Sequence, residues 1–222
     1  MNPQGVFVTG TGTEVGKTIV AAAIAHTAAA AGRSVAVFKP AVSGLDELHG
    51  AEADHELLRR AAGSRQTDDE IAPYRYGPPV SPHLGAELAG EEIDPERLRA
   101  VFRAAASTAD YVVAEGVGGF LVPLTPTYLV RDLAHDLALP VVIAASPGLG
   151  TINHSLLTIE AVRAAGLEVG AVVLTPWPAE PDAIQASNRE TIAAAASVTV
   201  EGLPELDLAV PARWPALEVP GV

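Results

Sequence analysis

The sequence predicts an α/β fold, a mostly parallel sheet flanked by helices on both faces, and three observations predict it. Short β-branched runs alternate with longer Ala- and Leu-rich segments through most of the chain. Runs such as Val141-Val142-Ile143-Ala144-Ala145 are apolar at every position, the pattern of a strand buried on both faces. A glycine-rich stretch closed by Lys17-Thr18 separates the first apolar run from the first helical segment, the layout of a phosphate-loop NTPase-like domain.

Taken in order, strands are predicted at 5–9, 34–38, 111–115, 140–145 and 169–174, and helices at 17–31, 52–62, 95–106, 128–137, 152–165 and 181–196. Right-handed crossovers then place the helices on both sides of the sheet. Gly32, Gly63 and Gly166 stand just past predicted helices, where a C-terminal glycine cap belongs. Residues 71–89 carry Pro73, Gly77, Pro78, Pro79, Pro82 and Gly85, and are expected to form a long loop. The stretch 202–222, with Pro204, Pro211, Pro215 and Pro220, is expected to wrap the surface irregularly. No repeat or linker divides the chain, so one domain over 1–222 is expected.

Composition narrows the function. A net charge of −13 argues against general affinity for nucleic acid or an anionic membrane. The lack of Cys removes disulfides, thiolate metal sites and Cys nucleophiles. No basic leader and no long apolar segment is visible, so a cytoplasmic location is expected. Of 14 basic residues only Lys17 and Lys39 are lysines. A compact ammonium is the better point charge among crowded anions, which directs attention to both.

Residues Thr9-Gly10-Thr11-Gly12-Thr13-Glu14-Val15-Gly16-Lys17-Thr18 read as a phosphate-binding loop. Glycines let backbone N–H groups turn toward phosphate oxygens, and the helix dipole adds to that field. Lys17 would reach the terminal phosphates, and the Thr18 hydroxyl would bind Mg²⁺. Five residues rather than four separate Gly10 from Gly16, so the strict motif misses it; the bland alternative is a glycine-rich strand–helix turn. Lys39, in Phe38-Lys39-Pro40 with Ser43-Gly44 behind it, follows the second strand and faces the same crevice. Glu115 ends the third predicted strand, where a second Mg²⁺ ligand is expected. Asp54 suits a helix first turn on its own. His49 and His55 beside it lack the further ligands of a transition-metal site.

These stretches, with Leu149-Gly150-Thr151-Ile152-Asn153-His154, resemble the dethiobiotin synthetase family over about residues 5–205. Lys-Pro-x-x-Ser-Gly, Glu-Gly-x-Gly-Gly and Leu-Gly-x-x-Asn-His in this order make the resemblance specific. It implies an ATP-dependent cyclo-ligase of biotin biosynthesis acting on 7,8-diaminopelargonic acid and CO₂ or bicarbonate. One amine forms a carbamate, the carbamate takes the γ-phosphoryl group, and the second amine closes the ring. The resemblance implies Lys39 and Lys17 as catalytic charges and Thr18, Asp54 and Glu115 as Mg²⁺ ligands. Nucleotide contacts fall on Gly12, Thr13, Glu14, Val15, Gly16, Lys17, Thr18, Glu115, Thr175 and Pro204. Substrate contacts fall on Ser43, Gly118, Gly119, Gly150, Thr151, Asn153 and Asn188, some of them from the partner in a homodimer that shares its sites.

Two departures stand out. Where many relatives have Asn-Asp after the strand ending near Leu174, this chain has Thr175-Pro176-Trp177-Pro178. That leaves the preferred base open among nucleoside triphosphates, with Trp177 either stacking on it or simply packing. Asn188 replaces a Tyr that contacts substrate in some relatives. Of the alternatives, an amide-forming synthase normally carries a glutaminase domain and Cys nucleophile, absent here. A nucleotide-switch ATPase acting through a protein partner normally carries an extra Lys in the loop, and positions 10–16 contain none.

Overall fold

The computed structural model describes residues 4–221. Its main sheet has six parallel strands in the order β10-β9-β8-β1-β5-β2, namely Val200–Gly202, Val169–Leu174, Val141–Ala145, Gly5–Gly10, Tyr111–Glu115 and Val35–Phe38. Two short pairs stand apart, β3 (Ala41–Val42) with β4 (Tyr74–Arg75) and the hairpin β6 (Pro123–Thr125) with β7 (Tyr128–Leu129). The five main strands read from the sequence are present within a residue of their predicted bounds, and β10 is an addition. The chain leaves β1 toward β2 and returns to place β8 on β1's other side, so the order in which strands are added reverses at β1. In such sheets ligands collect beyond the carboxyl ends at that reversal.

Alternation of side chains divides the sheet's neighbours into two layers. Beneath one face lie α1 (Lys17–Ala30), α2 (Asp54–Ala62) and the end of α3 (Asp68–Ile71). The other face is covered by α5 (Pro95–Ala106), α6 (Val130–Leu137), α7 (Thr151–Ala164) and α8 (Ala183–Ala196). α1 is buried at Val20, Ala21, Ala22, Ala23, Ile24, Ala25 and Ala28, and so many alanines let it lie close to both sheet and neighbours. α8 starts with a reciprocal cap: Gln185 N–H donates to Asp182 Oδ1 at 2.8 Å, and Asp182 N–H to Gln185 Oε1 at 3.0 Å.

Two sequence expectations change. Residues 71–89 are not all loop, because α4 occupies Pro82–Ala89. Pro82 stands in its first turn, where no N–H is needed, and Gly90 closes it at φ 69°. Gly85 sits where a Cβ would come within 2.6 Å of the Tyr76 ring. The breakers thus mark an edge and a close contact. The C-terminal stretch is also less superficial than expected. Leu203, Trp214, Leu217 and Val219 are buried in the α1 layer. The Trp214 indole donates to Asp207 O at 2.8 Å, and Tyr111 Oη donates to Pro220 O at 2.7 Å.

Side chains finish both borders of the main sheet. At β2, Val37 N–H donates to Gln66 Oε1 at 2.8 Å and Gln66 Nε2 donates to Val37 O at 3.0 Å. At β10, Arg189 Nε donates to Val200 O at 2.9 Å.

Candidate active site

The site grows from three strand ends. β1 and β5 pair with Val8 opposite Glu115, and β2 and β5 with Phe38 opposite Ala114, so Lys39 follows one step on beside Glu115. The loop from β1 curls into α1 through Gly16 at φ 83°, a left-handed turn that favours glycine. Thr11 N–H ties the loop to Ala144 O at 3.0 Å.

Lys39 and Glu115 are 4% and 0% exposed, and Lys17 is 8% exposed. Lys39 Nζ lies 2.5 Å from Glu115 Oε1 and 2.7 Å from Asp54 Oδ2. The Thr18 hydroxyl donates to the same Glu115 Oε1 at 2.9 Å. Lys17 folds back and donates to Gly12 O at 2.7 Å. Glu115 Oε2 is buried without a hydrogen-bond partner. Asp54 is held at the start of α2, where Glu56 Oε2 accepts the Ala53 N–H at 2.9 Å.

Burial opposes charge on each group, and the neighbours decide the balance. For Lys39 the burial cost is outweighed by Glu115 and Asp54, which hold its pKa above the usual lysine value. Burial lowers the Lys17 pKa against the pull of Glu115, with Lys39 repelling it further. Burial pushes Glu115 up despite Lys39, and Asp54 adds to that push. At half-exposed Asp54, Lys39 and Thr18 outweigh burial and bring the carboxyl down.

A cavity of about 770 Å³ opens over these groups, lined by Thr13, Glu14, Gly16, Lys17, Thr18, Lys39, Ser43, Asp54, Glu115 and Gly118 among others. Gly119 lies against the loop, its added Cβ 3.8 Å from Gly10 O. Glu52, Pro79, Ser81 and Leu208 also line the cavity, and sequence reading did not single out Glu52 or Leu208. They are joined by Arg60, which forks onto Glu52 at 2.9 and 2.6 Å and donates to Leu208 O at 2.9 Å. A partner 148 positions away leaves no local signal. A larger concavity of about 1030 Å³, lined by His83, Glu91, Arg99 and Tyr128 among others, includes no lysine and none of these groups. The smaller cavity is the one that gathers both lysines with Asp54 and Glu115.

Other predicted site residues lie elsewhere. Thr175 is 4% exposed and packs its methyl beneath Gly16. Trp177 packs against Gly202, with the Arg189 guanidinium 5.6 Å from its ring centroid. Pro204 is exposed just beyond Leu203, which pairs with Leu174. Asn188 is buried, and its amide donates to Pro147 O at 3.0 Å and Gly148 O at 3.2 Å. The amide nitrogen is thus engaged by the loop before α7. Gly150, Thr151 and Asn153 open α7 outside the cavity, with Gly150 and Asn153 exposed. His55 is buried beside Asp68, and among the described residues no three His, Asp or Glu side chains group as a metal cluster. No described helix is long and apolar enough to cross a membrane.

A family model described as an AAA domain matches residues 4–212. The ATP-dependent dethiobiotin synthetase of Rhodococcus erythropolis is 42% identical over 204 residues, covering 91% of this chain and 86% of the relative. That of Aromatoleum aromaticum is 44% identical over 74% of both chains. This chain belongs to the dethiobiotin synthetase family. A dethiobiotin synthetase from Bacillus subtilis matches at 32% identity, over 90% of this chain and 86% of its own. Among solved structures, the MinC:MinD cell division complex of Aquifex aeolicus aligns with TM-score 0.55 at 14% identity, over 92% of this chain and 82% of its own. The kinase domain of the Escherichia coli tyrosine kinase ETK aligns with TM-score 0.50 at 17% identity, over 82% and 71%. Both share the fold of this chain, and the likeness is one of fold alone.

Proposed function

We propose that this chain is a cyclo-ligase that forms dethiobiotin from 7,8-diaminopelargonic acid, CO₂ and ATP, releasing ADP and phosphate. One observation carries the reading: the only two lysines of the sequence meet Glu115, Asp54 and Thr18 at the floor of one crevice. The reaction needs little covalent help. Its difficulty is to bring a carbamate oxygen against a phosphoryl group, both anionic, and to hold them in line.

The residues meet that need in order. Carbamate forms when a free diamine nitrogen attacks CO₂. Lys39 would bind the carbamate and stabilise the charge that develops on phosphorus, with Ser43 offering a hydrogen bond from the cavity wall. Lys17 would leave Gly12 O for the terminal phosphates, whose charge would restore the proton affinity that burial lowers. The second amine then closes the ring and phosphate departs. Thr18, Glu115 and Asp54 form an all-oxygen set that suits Mg²⁺, and buried Glu115 Oε2 lacks any other partner. When bound, the ion shields charge on the phosphates.

The α7 start would serve the distant substrate carboxylate in a second copy, since an anion favours a helix N-terminus and this one does not line its own cavity. The chain is also proposed to act as one domain in the cytoplasm. The nucleotide-switch alternative gains no support from a loop with no extra lysine, Lys17 and Lys39 both lining one crevice. Incubation with the diamine, bicarbonate, Mg²⁺ and each nucleoside triphosphate in turn tests the reading. Phosphate release that requires the diamine, with dethiobiotin seen by mass spectrometry, is expected. Phosphate release independent of the diamine would sink it, and the ranking of nucleotides settles the base.

A further inference from the structure

Both lysines of the crevice are engaged by the protein itself, and the two engagements differ in what can release them. Lys17 donates to Gly12 O, a neutral acceptor, at 2.7 Å. Incoming phosphate oxygens outbid it through charge alone. Lys39 is held by two carboxylates, Glu115 Oε1 at 2.5 Å and Asp54 Oδ2 at 2.7 Å. These are anionic acceptors already, so another anion offers the ammonium little gain. What frees Lys39 is a cation that takes over its carboxylates. Glu115 and Asp54 are the carboxylates assigned above to the divalent ion, and Glu115 Oε1 also accepts the Thr18 hydroxyl at 2.9 Å. Two cations close to the same oxygens repel strongly where water is excluded, and Glu115 is fully buried.

We infer that Lys39 is a stand-in for the divalent ion: its ammonium neutralises the Glu115–Asp54 pair until metal and nucleotide arrive, and only then becomes free for the carbamate. The inference rests on the proposed metal ligands and adds an order of events. Metal–nucleotide binding precedes engagement of the anionic substrate by Lys39. Without nucleotide the lysine is sequestered, so it does not trap stray anions in the crevice.

Two measurements test this without turnover. The first is Mn²⁺ binding to the nucleotide-free protein, followed by electron paramagnetic resonance, in wild type and Lys39→Met. Removing a competing charge a few ångströms away should tighten Mn²⁺ binding about tenfold or more. Unchanged or weaker binding by a folded variant overturns the inference. The second observes both lysines in the wild-type protein. Because the chain has two lysines, lysine labelled at Cε and Nζ gives two side-chain signals, assigned with Lys39→Arg. A non-hydrolysable ATP analogue without metal should move the Lys17 signal and leave Lys39 near its starting position. The analogue with Mg²⁺ should move both. A Lys39 signal that follows the metal-free analogue, or ignores the metal complex, overturns the inference. If exchange fails while diamine-dependent phosphate release persists, only the stand-in falls; exchange without dethiobiotin formation overturns the proposed reaction instead.

Discussion

Replacing Gly16 with Ala offers a quantitative probe of the phosphate loop. Its φ of 83° lies in the left-handed region, where an L side chain costs about 1–2 kcal/mol. The new Cβ would also stand 2.5 Å from Thr175 Cγ2, well inside contact distance. Thr175 cannot swing aside freely, because it is buried and its N–H is bonded to Ala145 O at 2.9 Å. Overpacking of this kind typically costs about 1–3 kcal/mol. The expected loss is therefore about 2–5 kcal/mol in all. Thr175→Ser removes the offending methyl and keeps the hydroxyl, so it separates the two terms. By itself it should cost about 0.5–1.5 kcal/mol for the lost methyl. Added to Gly16→Ala it should recover the overlap part, a coupling of about 1–3 kcal/mol, and leave the backbone part. Urea unfolding of the four proteins measures the cycle, and nucleotide binding to each reports whether the loop keeps its shape. A Gly16→Ala loss below about 0.5 kcal/mol, or strictly additive effects, would refute the argument.

Three further expectations follow from the same geometry. Lys39→Arg should still bind nucleotide but lose about 10²–10³ in turnover, because a planar guanidinium cannot replace a compact ammonium between two carboxylates; near-wild-type turnover in a steady-state assay contradicts its assigned role. Arg60→Ala removes the fork that joins Glu52 to Leu208 on the cavity wall, so the nucleotide KM should rise about fivefold with kcat nearly unchanged, and a fall in kcat at constant KM would argue against a positioning role. Asp54 has a folded pKa below its ordinary 3.8, so its contribution to stability is present above 3.8 and is lost as pH falls through the folded value. The stability gap between wild type and Asp54→Asn should thus shrink on acidification from about pH 6 to about pH 3, and a gap that widens refutes the sign.

What the sequence disclosed divides along physical lines. Strands buried on both faces and alanine-rich helices announce themselves locally, so the order of the main elements was legible. The phosphate loop, Lys39 and Glu115 were legible too, because strand ends are where the fold collects ligands. Proline and glycine in 71–89 misled, since their effect depends on position within a helix, and Pro82 stands at a start. Thr175 and Asn188 were harder still. Each sits under a loop remote in sequence, Gly16 in one case and Pro147-Gly148 in the other, and only packing reveals that they support backbone. The covering of α1 by Trp214 and Leu217 is likewise a contact between distant segments, invisible to periodicity.

The finishing of the sheet borders bears on how copies of this chain can associate. A strand border is normally open to an incoming strand, which binds through the exposed amides and carbonyls. Gln66 occupies both the N–H and the C=O of Val37 at one border, and Arg189 occupies the Val200 carbonyl at the other, which is only three residues long. A sheet running continuously from one molecule into the next is thereby disfavoured, as is templated aggregation along β2. Any stable pairing is left to helix faces and loops, which are also the parts that frame the crevice.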